Sequence, residues 1–344
     1  MSLSRIIGHA QLVSLLREAV VRKRVPQSLL FAGPEGVGKK RFAVELARSM
    51  VCSTPNECEA CGECAACKRA GEFSIPVFEK GDESDRVFFS QHPDVGLVVP
   101  FRRNLRIGAI RALESEAHFR PYEGGARIFI IEDADKMNDA AANALLKTLE
   151  EPPATSHIIL IASRADSLLP TIRSRCQTIR FAPAPFEEIE KYLVSKGESS
   201  PDDAALAARV SGGSIGRAIE IVPSSFRTQR SLMLDVLKAA VAGNRREALQ
   251  VSEEIADAKN KDEYEENLGI LKDLIHDAWL LRNGATSQEI RNLDIISDLT
   301  QLSDRSNSND LSGWIAEIET IEENLIVNIN RKVATDALFM EMAG

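Results

Sequence analysis

The sequence predicts an α/β domain built on a parallel sheet, followed by an all-helical region. Three observations carry this. Short apolar runs alternate with amphipathic segments through the first half, a glycine-rich turn joins one such run to the next segment, and from Ser224 onward the pattern is almost wholly helical. A chain of 344 residues with 44% hydrophobic residues has material for two or three domains. No run of about 18 apolar residues occurs, and the N-terminal stretch mixes charge into a helical period, so a cytoplasmic protein without a membrane segment is expected. The net charge of −9 argues against a chain that wraps nucleic acid by itself and favours protein partners.

In chain order, Ile6 to Arg24 carries apolar residues at helical spacing. Ser28 to Ala32 is a short apolar run that reads as a buried strand, and Lys39 to Met50 reads as a helix. Between them lies GPEGVGKK, Gly33 to Lys40. A phosphate-binding loop needs Gly-x4-Gly-Lys followed by Ser or Thr: glycines expose backbone N–H groups to phosphate oxygens, lysine reaches the terminal phosphates, and the hydroxyl ligates Mg²⁺. Gly33, Gly36, Gly38 and Lys39 are in place, but Lys40 stands where the hydroxyl belongs. A unit charge about 4 Å from Mg²⁺, at an effective dielectric of about 20, costs roughly 8 kcal/mol. Lys40 is therefore expected to swing away from a metal, and the missing ligand is not recovered by that movement.

Five of the six cysteines follow, between Cys52 and Cys67. Cys61-x2-Cys64-x2-Cys67, with Cys52 upstream, supplies four thiolates to one tetrahedral Zn²⁺, and CxxC turns let neighbouring thiolates approach one ion. Cys52, Cys61, Cys64 and Cys67 are assigned as ligands, with Cys58 in place of Cys52 as the competing assignment. Four protein ligands leave no open coordination position, so this zinc is expected to be structural. Disulfides do not suit a cytoplasmic chain.

Phe73 to Gln91 is a mixed-charge segment without a period and reads as an insertion or loop. Asp94 to Val99 reads as a strand, Ile107 to Phe119 as an amphipathic helix, and Ala126 to Ile131 as a buried strand ending in Glu132-Asp133. An apolar strand ending in Asp-Glu orients Mg²⁺ with the first acid and activates water with the second. Here the order is inverted. One methylene moves a carboxylate by about 1.5 Å, and misplacement by about 1 Å can cost roughly 100-fold in rate. Glu132 and Asp133 equally suit the start of the next helix, where carboxylates are favoured.

Lys136 to Glu151 reads as a helix stopped by Pro152-Pro153, and His157 to Ala162 as a further apolar strand. Ser163 to Cys176 reads as loop and short helix, Gln177 to Phe181 as the last strand, and Ala182 to Phe186 (APAPF) as a domain exit. In LPTIRSRC, Leu169 to Cys176, Arg173 and Arg175 project from an exposed segment. An arginine placed in a neighbour's nucleotide site stabilises charge on a transferring phosphoryl group; the plain alternative is a surface salt bridge. Short helices with Gly212-Gly213 and Gly216 between them run to Pro223, and Asp310 to Met342 is a long amphipathic stretch with Trp314, Ile318, Ile321, Leu325, Ile329 and Val333 on one face.

Taken together, GPEGVGKK, the four-cysteine module, His92-Pro93-Asp94, NALLKTLEEPP at Asn143 to Pro153, LPTIRSRC and NINRK at Asn328 to Lys332 resemble the clamp-loader branch of AAA+ proteins. Within it they resemble the delta-prime family of bacterial DNA polymerase III. The resemblance implies an AAA+ domain with inserted zinc module over 1–183, a helical lid over 184–223, and a helical collar over 224–344. It implies partners as well: gamma/tau and delta subunits in a hetero-pentameric ring, with sliding clamp and primed DNA reached through the complex. It implies that Arg175 serves as a finger on a neighbour's ATP site. The gamma/tau motor subunits share the zinc module and the SRC arginine, and an active ATPase of that type is the alternative. Motor subunits carry the loop hydroxyl, an Asp-Glu pair and a sensor arginine in Gly-Ser-x-Arg. This chain has Lys40, Glu132-Asp133 and Gly213-Ser214-Ile215-Gly216-Arg217, with glycine at the sensor position. Three departures in one site favour a non-motor subunit with little or no hydrolysis.

Overall fold

The computed structural model describes residues 6–55, 59–76, 85–101, 104–197, 199–246, 249–250, 255, 261–325 and 330–344. Cys58, the centre of the 73–91 segment, Asn328 and Ile329 lie outside the described residues. The chain divides into two compact units, Met1–Tyr192 with Gly213–Arg217, and Leu193–Gly212 with Ala218–Gly344.

The first unit is built on a six-stranded sheet: β1 (Ser28–Ala32), β2 (Phe88–Phe89), β3 (Val95–Val98), β4 (Arg127–Ile131), β5 (Ser156–Ala162) and β6 (Gln177–Arg180), in the order β2-β3-β4-β5-β1-β6. Every pairing is parallel except β2 with β3. Every residue of β1 and β4 is buried, as a parallel sheet covered on both faces requires. Alternate residues feed two cores. Leu29, Phe31, Ile128 and Ile130 pack with α1 (Ala10–Val21), through Val13 and Leu16, and with α2 (Lys39–Val51), through Phe42 and Leu46. Leu30, Phe129 and Ile131 pack with α4 (Ile107–Ala117) and α5 (Asp139–Glu150).

Two expectations need correction in this unit. The helix expected from Lys136 starts at Asp139, because Asn138 is the cap: its side chain accepts the N–H of Ala141, while Ala134–Lys136 forms a separate 3₁₀ turn. The 73–91 segment, read as an insertion or loop, contains the edge strand β2, whose two residues are too few to show a period.

The second unit is helical, with Pro201–Val210, Pro223–Val241, Lys261–Arg282, Ile296–Arg305, Ser308–Asn324 and Arg331–Met342 around a separate core of which Leu271, Leu274, Ile318 and Phe339 are fully buried. Here the stretch expected as one face from Asp310 to Met342 is two helices. Asn330 caps the second by accepting the N–H of Val333. The break resets the helical phase: Trp314, Ile318, Ile321 and Leu325 are buried, but Val333 is 62% exposed and Leu338, Phe339 and Met342 face the core instead. No helix among the described residues is long and apolar enough to cross a membrane.

Candidate functional site

The predicted phosphate loop forms the turn between β1 and α2, with Gly38 in the left-handed region at φ 96° as the helix cap. Its glycines are sterically required. A Cβ on Gly36, at φ 72°, would lie 2.0 Å from Ser214 Oγ, and one on Gly33 would lie 2.2 Å from the Phe181 carbonyl oxygen. The GSIGR segment closes on this loop: the Gly216 N–H donates to the Gly36 carbonyl at 2.9 Å, and Ser214 Oγ accepts the N–H of Arg217 at 3.2 Å. A Cβ on Gly216 would crowd Gly36 at 3.3–3.4 Å. Glycine at the sensor position thus serves a backbone contact with the loop.

The charged groups of the loop are satisfied within the chain. Lys39 is buried, and its ammonium donates to the carbonyls of Gly33 and Pro34 at 2.5 Å each and to Ser163 Oγ at 3.3 Å. Burial lowers its pKa below the usual lysine range, against the attraction of Glu35, Asp135 and Asp133. Lys40 Nζ lies 2.7 Å from Glu132 Oε2. Expected to swing away from a metal, this lysine instead pairs with the carboxylate expected to orient one. Asp133 holds Lys136 at 2.8 Å and adopts φ 47° without capping through its side chain. A cation already sits on the first acid and no hydroxyl ligand is present, so the residues do not fit a loop-bound Mg²⁺.

Asp135 was not singled out by sequence reasoning. Its two carboxylate oxygens accept the N–H groups of Ser163 and Arg164 at 3.3 Å each, which positions the end of β5 beside the loop. A third acid after an apolar strand was the available signal.

Arg175 follows the single-turn α6 (Pro170–Arg173). Its guanidinium donates to the Thr171 carbonyl at 2.9 Å and to Glu150 Oε1 at 2.6 Å, with the arginine side chain 34% and the glutamate 50% exposed. This is the intramolecular salt bridge that sequence reasoning held as its alternative. An exposed pair of this kind contributes about 0–1 kcal/mol and exchanges readily for a stronger anion. Arg173 pairs with Asp166 at 2.8 Å.

The four predicted cysteines converge. Cys52 Sγ lies 3.7 Å from Cys61 Sγ and 3.9 Å from Cys64 Sγ, Cys61 Sγ lies 3.9 Å from Cys67 Sγ, and all four fall within 4.8 Å of one another. A ZnS₄ tetrahedron with Zn–S of about 2.3 Å has edges of about 3.8 Å, so this donor set fits zinc. The N–H groups of Cys61, Cys64 and Cys67 donate to Cys52, Cys61 and Cys64 sulfurs respectively, at 3.3–3.4 Å. Hydrogen bonds from the Thr54 hydroxyl and then the Cys64 N–H pull the Cys61 thiol down to about 6, whereas burial pushes Cys52 and Cys67 up.

Helix α3 (Ala65–Ala70) carries Cys67, the last of the four cysteines, and ties their segment to the sheet. Arg69 holds Glu123 through two contacts at 2.9 and 2.5 Å. The loop bearing Glu123 is gathered by Asp94, which is fully buried and accepts the N–H groups of Tyr122, Glu123 and Gly124 at 2.7, 2.9 and 2.9 Å. Arg127, also fully buried, faces Asp94 at 3.9 Å and bonds the Glu116 carbonyl at 2.6 Å and carboxylate at 3.1 Å.

Comparison with known proteins matches the family model described as DNA polymerase III, delta subunit, over residues 8–185, and the model of that subunit's C terminus over 224–340. The DNA polymerase III subunit delta' of Escherichia coli is 27% identical over 92% of this chain and 88% of its own length. The subunit delta' of Bacillus subtilis is 34% identical over 61% of this chain and 58% of its own. The tau subunit of Bacillus subtilis is 30% identical over 51% of this chain and 28% of its own. Matched in both its sheet domain and its C-terminal helices, the chain belongs to the DNA polymerase III delta-subunit family, in its delta-prime branch.

Proposed function

We propose that this chain is the non-motor member of a clamp loader, which lends Arg175 to the ATP site of a neighbouring gamma/tau-type subunit and turns over no nucleotide itself. The observation that carries this reading is the Lys40–Glu132 ion pair, which places a fixed cation on the acid that a motor subunit keeps for Mg²⁺. The exposed position of Arg175 in the turn after a short helix supports the trans role, since its pairing with Glu150 can be given up for a triphosphate. On this reading 1–183 is the AAA+ core, 184–223 the lid and 224–344 the collar that joins a five-membered ring with delta and gamma/tau. Clamp and primed DNA are met through the complex. Cys52, Cys61, Cys64 and Cys67 hold one structural Zn²⁺, which fastens α3 to the sheet through Arg69.

The test is single-turnover ATP hydrolysis by rings reconstituted with wild-type or Arg175→Ala chain. The site that receives the arginine should slow about 10³-fold or more while the ring still assembles. Unchanged kinetics, or Mg²⁺-dependent turnover by the isolated chain that Lys39→Ala abolishes, would overturn the reading in favour of a motor subunit.

A further inference from the structure

A second arginine-rich feature lies at the carboxyl ends of β1, β5 and β6 and does not include Arg175. A cavity of about 820 Å³ opens there, with Arg164, Arg173 and Arg180 around an apolar floor that includes Leu30, Pro170 and Phe181. Its cations are under-matched. Arg164 and Arg180 are exposed, and among the described residues neither side chain meets a carboxylate. Arg173 has one acid partner, Asp166, which is 99% exposed, and its buried Nε has no hydrogen-bond acceptor. A buried donor without an acceptor is costly and points to a group supplied from outside. One wall is the edge strand β6, which among the described residues pairs only with β1.

We propose that this cavity is a docking site for an acidic segment of the neighbouring ATPase subunit, whose carboxylates complete the hydrogen bonding of Arg164, Arg173 and Arg180. Guanidinium forks match carboxylates bidentately, and the apolar floor takes the side chains that flank the acids. A peptide suits the site better than a nucleic-acid backbone. The chain carries a net −9, which opposes a polyanion at long range, and a duplex backbone offers nothing to fill an apolar floor. The inference rests on the trans-acting reading for the identity of the partner, and assigns separate duties: Arg175 acts on the triphosphate, and the cavity holds the partner.

The experiment measures association of the full chain with the purified gamma/tau-type subunit of the same organism, alongside a primed-DNA arm, and adds a photo-crosslinking version carrying Thr178→p-benzoyl-L-phenylalanine. The paired charge reversal R164E/R180E should weaken association about 10-fold or more and erase its salt dependence, whereas R164K/R180K, which keeps the charge and loses the forks, should weaken it less than the reversal and keep the salt dependence. The Thr178 adduct should map to a partner peptide carrying at least two Asp or Glu residues. Equal affinity of the charge-reversed chain, an adduct on a peptide without acids, or an adduct on DNA alone overturns the inference. Arg175→Ala separates the two proposals: it should slow hydrolysis and leave association unchanged. Hydrolysis insensitive to Arg175→Ala, with association sensitive to R164E/R180E, would remove the trans role and keep the docking site. The converse would do the opposite. Both arginines are exposed, so folding is retained, and an unchanged thermal midpoint of each variant verifies it.

Discussion

His92 is neutral in the folded chain, because its Nδ1 accepts the N–H of Asp94 at 3.2 Å and a protonated nitrogen has no lone pair to accept it. Burial lowers its pKa, outweighing the attraction of Asp94 and Glu123, and burial likewise lowers that of His157. In the unfolded chain both bind protons near pH 6.5, so below that pH the unfolded state holds more protons than the folded one. Stability from these groups is therefore complete above about pH 6.5 and is lost as pH falls. The thermal midpoint should drop between about pH 7.5 and pH 5.5, and His157→Gln should flatten that dependence. A midpoint that rises on acidification would refute it. At the phosphate loop, Lys40→Thr restores a hydroxyl and frees Glu132. Since exposed ion pairs contribute about 0–1 kcal/mol, stability should hardly change, whereas Mg²⁺-dependent nucleotide binding should strengthen about 10-fold or more, read by a fluorescent ATP analogue with and without chelator. Binding that ignores both Mg²⁺ and the substitution would show that the ion pair is not what keeps the metal out.

At the scale of elements, the buried Arg127 at the start of β4 joins α4, the loop 122–124 and β3. It stacks within 5.4 Å of the rings of Phe89, Tyr122 and Phe129 while bonding Glu116 and facing Asp94. Removing one partner of a buried ion pair costs about 3–5 kcal/mol, so Arg127→Ala should lower unfolding free energy by about that amount in urea titration. Loss of less than about 1 kcal/mol would mean that solvent replaces the guanidinium. Much of this architecture was legible because its signals are local. The strands β1, β4 and β5 announce themselves as apolar runs buried on both faces, and the cysteine cluster by spacing within one segment. What tertiary contact creates was not legible. The pairing of Lys40 with Glu132 joins two elements 92 residues apart. The role of Asp135 depends on β5 ending beside it, and Gly216 shows its purpose only when Gly36 is its neighbour. The break before Arg331 was missed because Val333 continues the apolar spacing and only the Asn330 cap reveals a new helix phase.

Across the whole molecule, the first unit packs on two apolar cores and the second on one, and among the described residues no buried cluster draws on both units. All six cysteines belong to the first unit, so metal chemistry acts on one unit's stability alone. Units with separate cores unfold as separate cooperative transitions when their mutual interface is weaker than either core. Calorimetry of the full chain should therefore resolve two transitions, and metal analysis should find about one Zn per chain. A chelator strong enough to strip thiolate-bound zinc should lower the first unit's transition and leave the helical unit's in place, because binding free energy of the metal is folding free energy only where the ligands reside. Cys64→Ala should do the same without chelator, and should lose α3 with it, since Cys64 is both one of the four converging thiols and the cap of that helix, accepting the Cys67 N–H, and alanine can do neither. One transition that moves as a whole on zinc removal would instead mean that the units are energetically fused. The module would then act on the helical unit as well as on the sheet to which Arg69 and Glu123 join it.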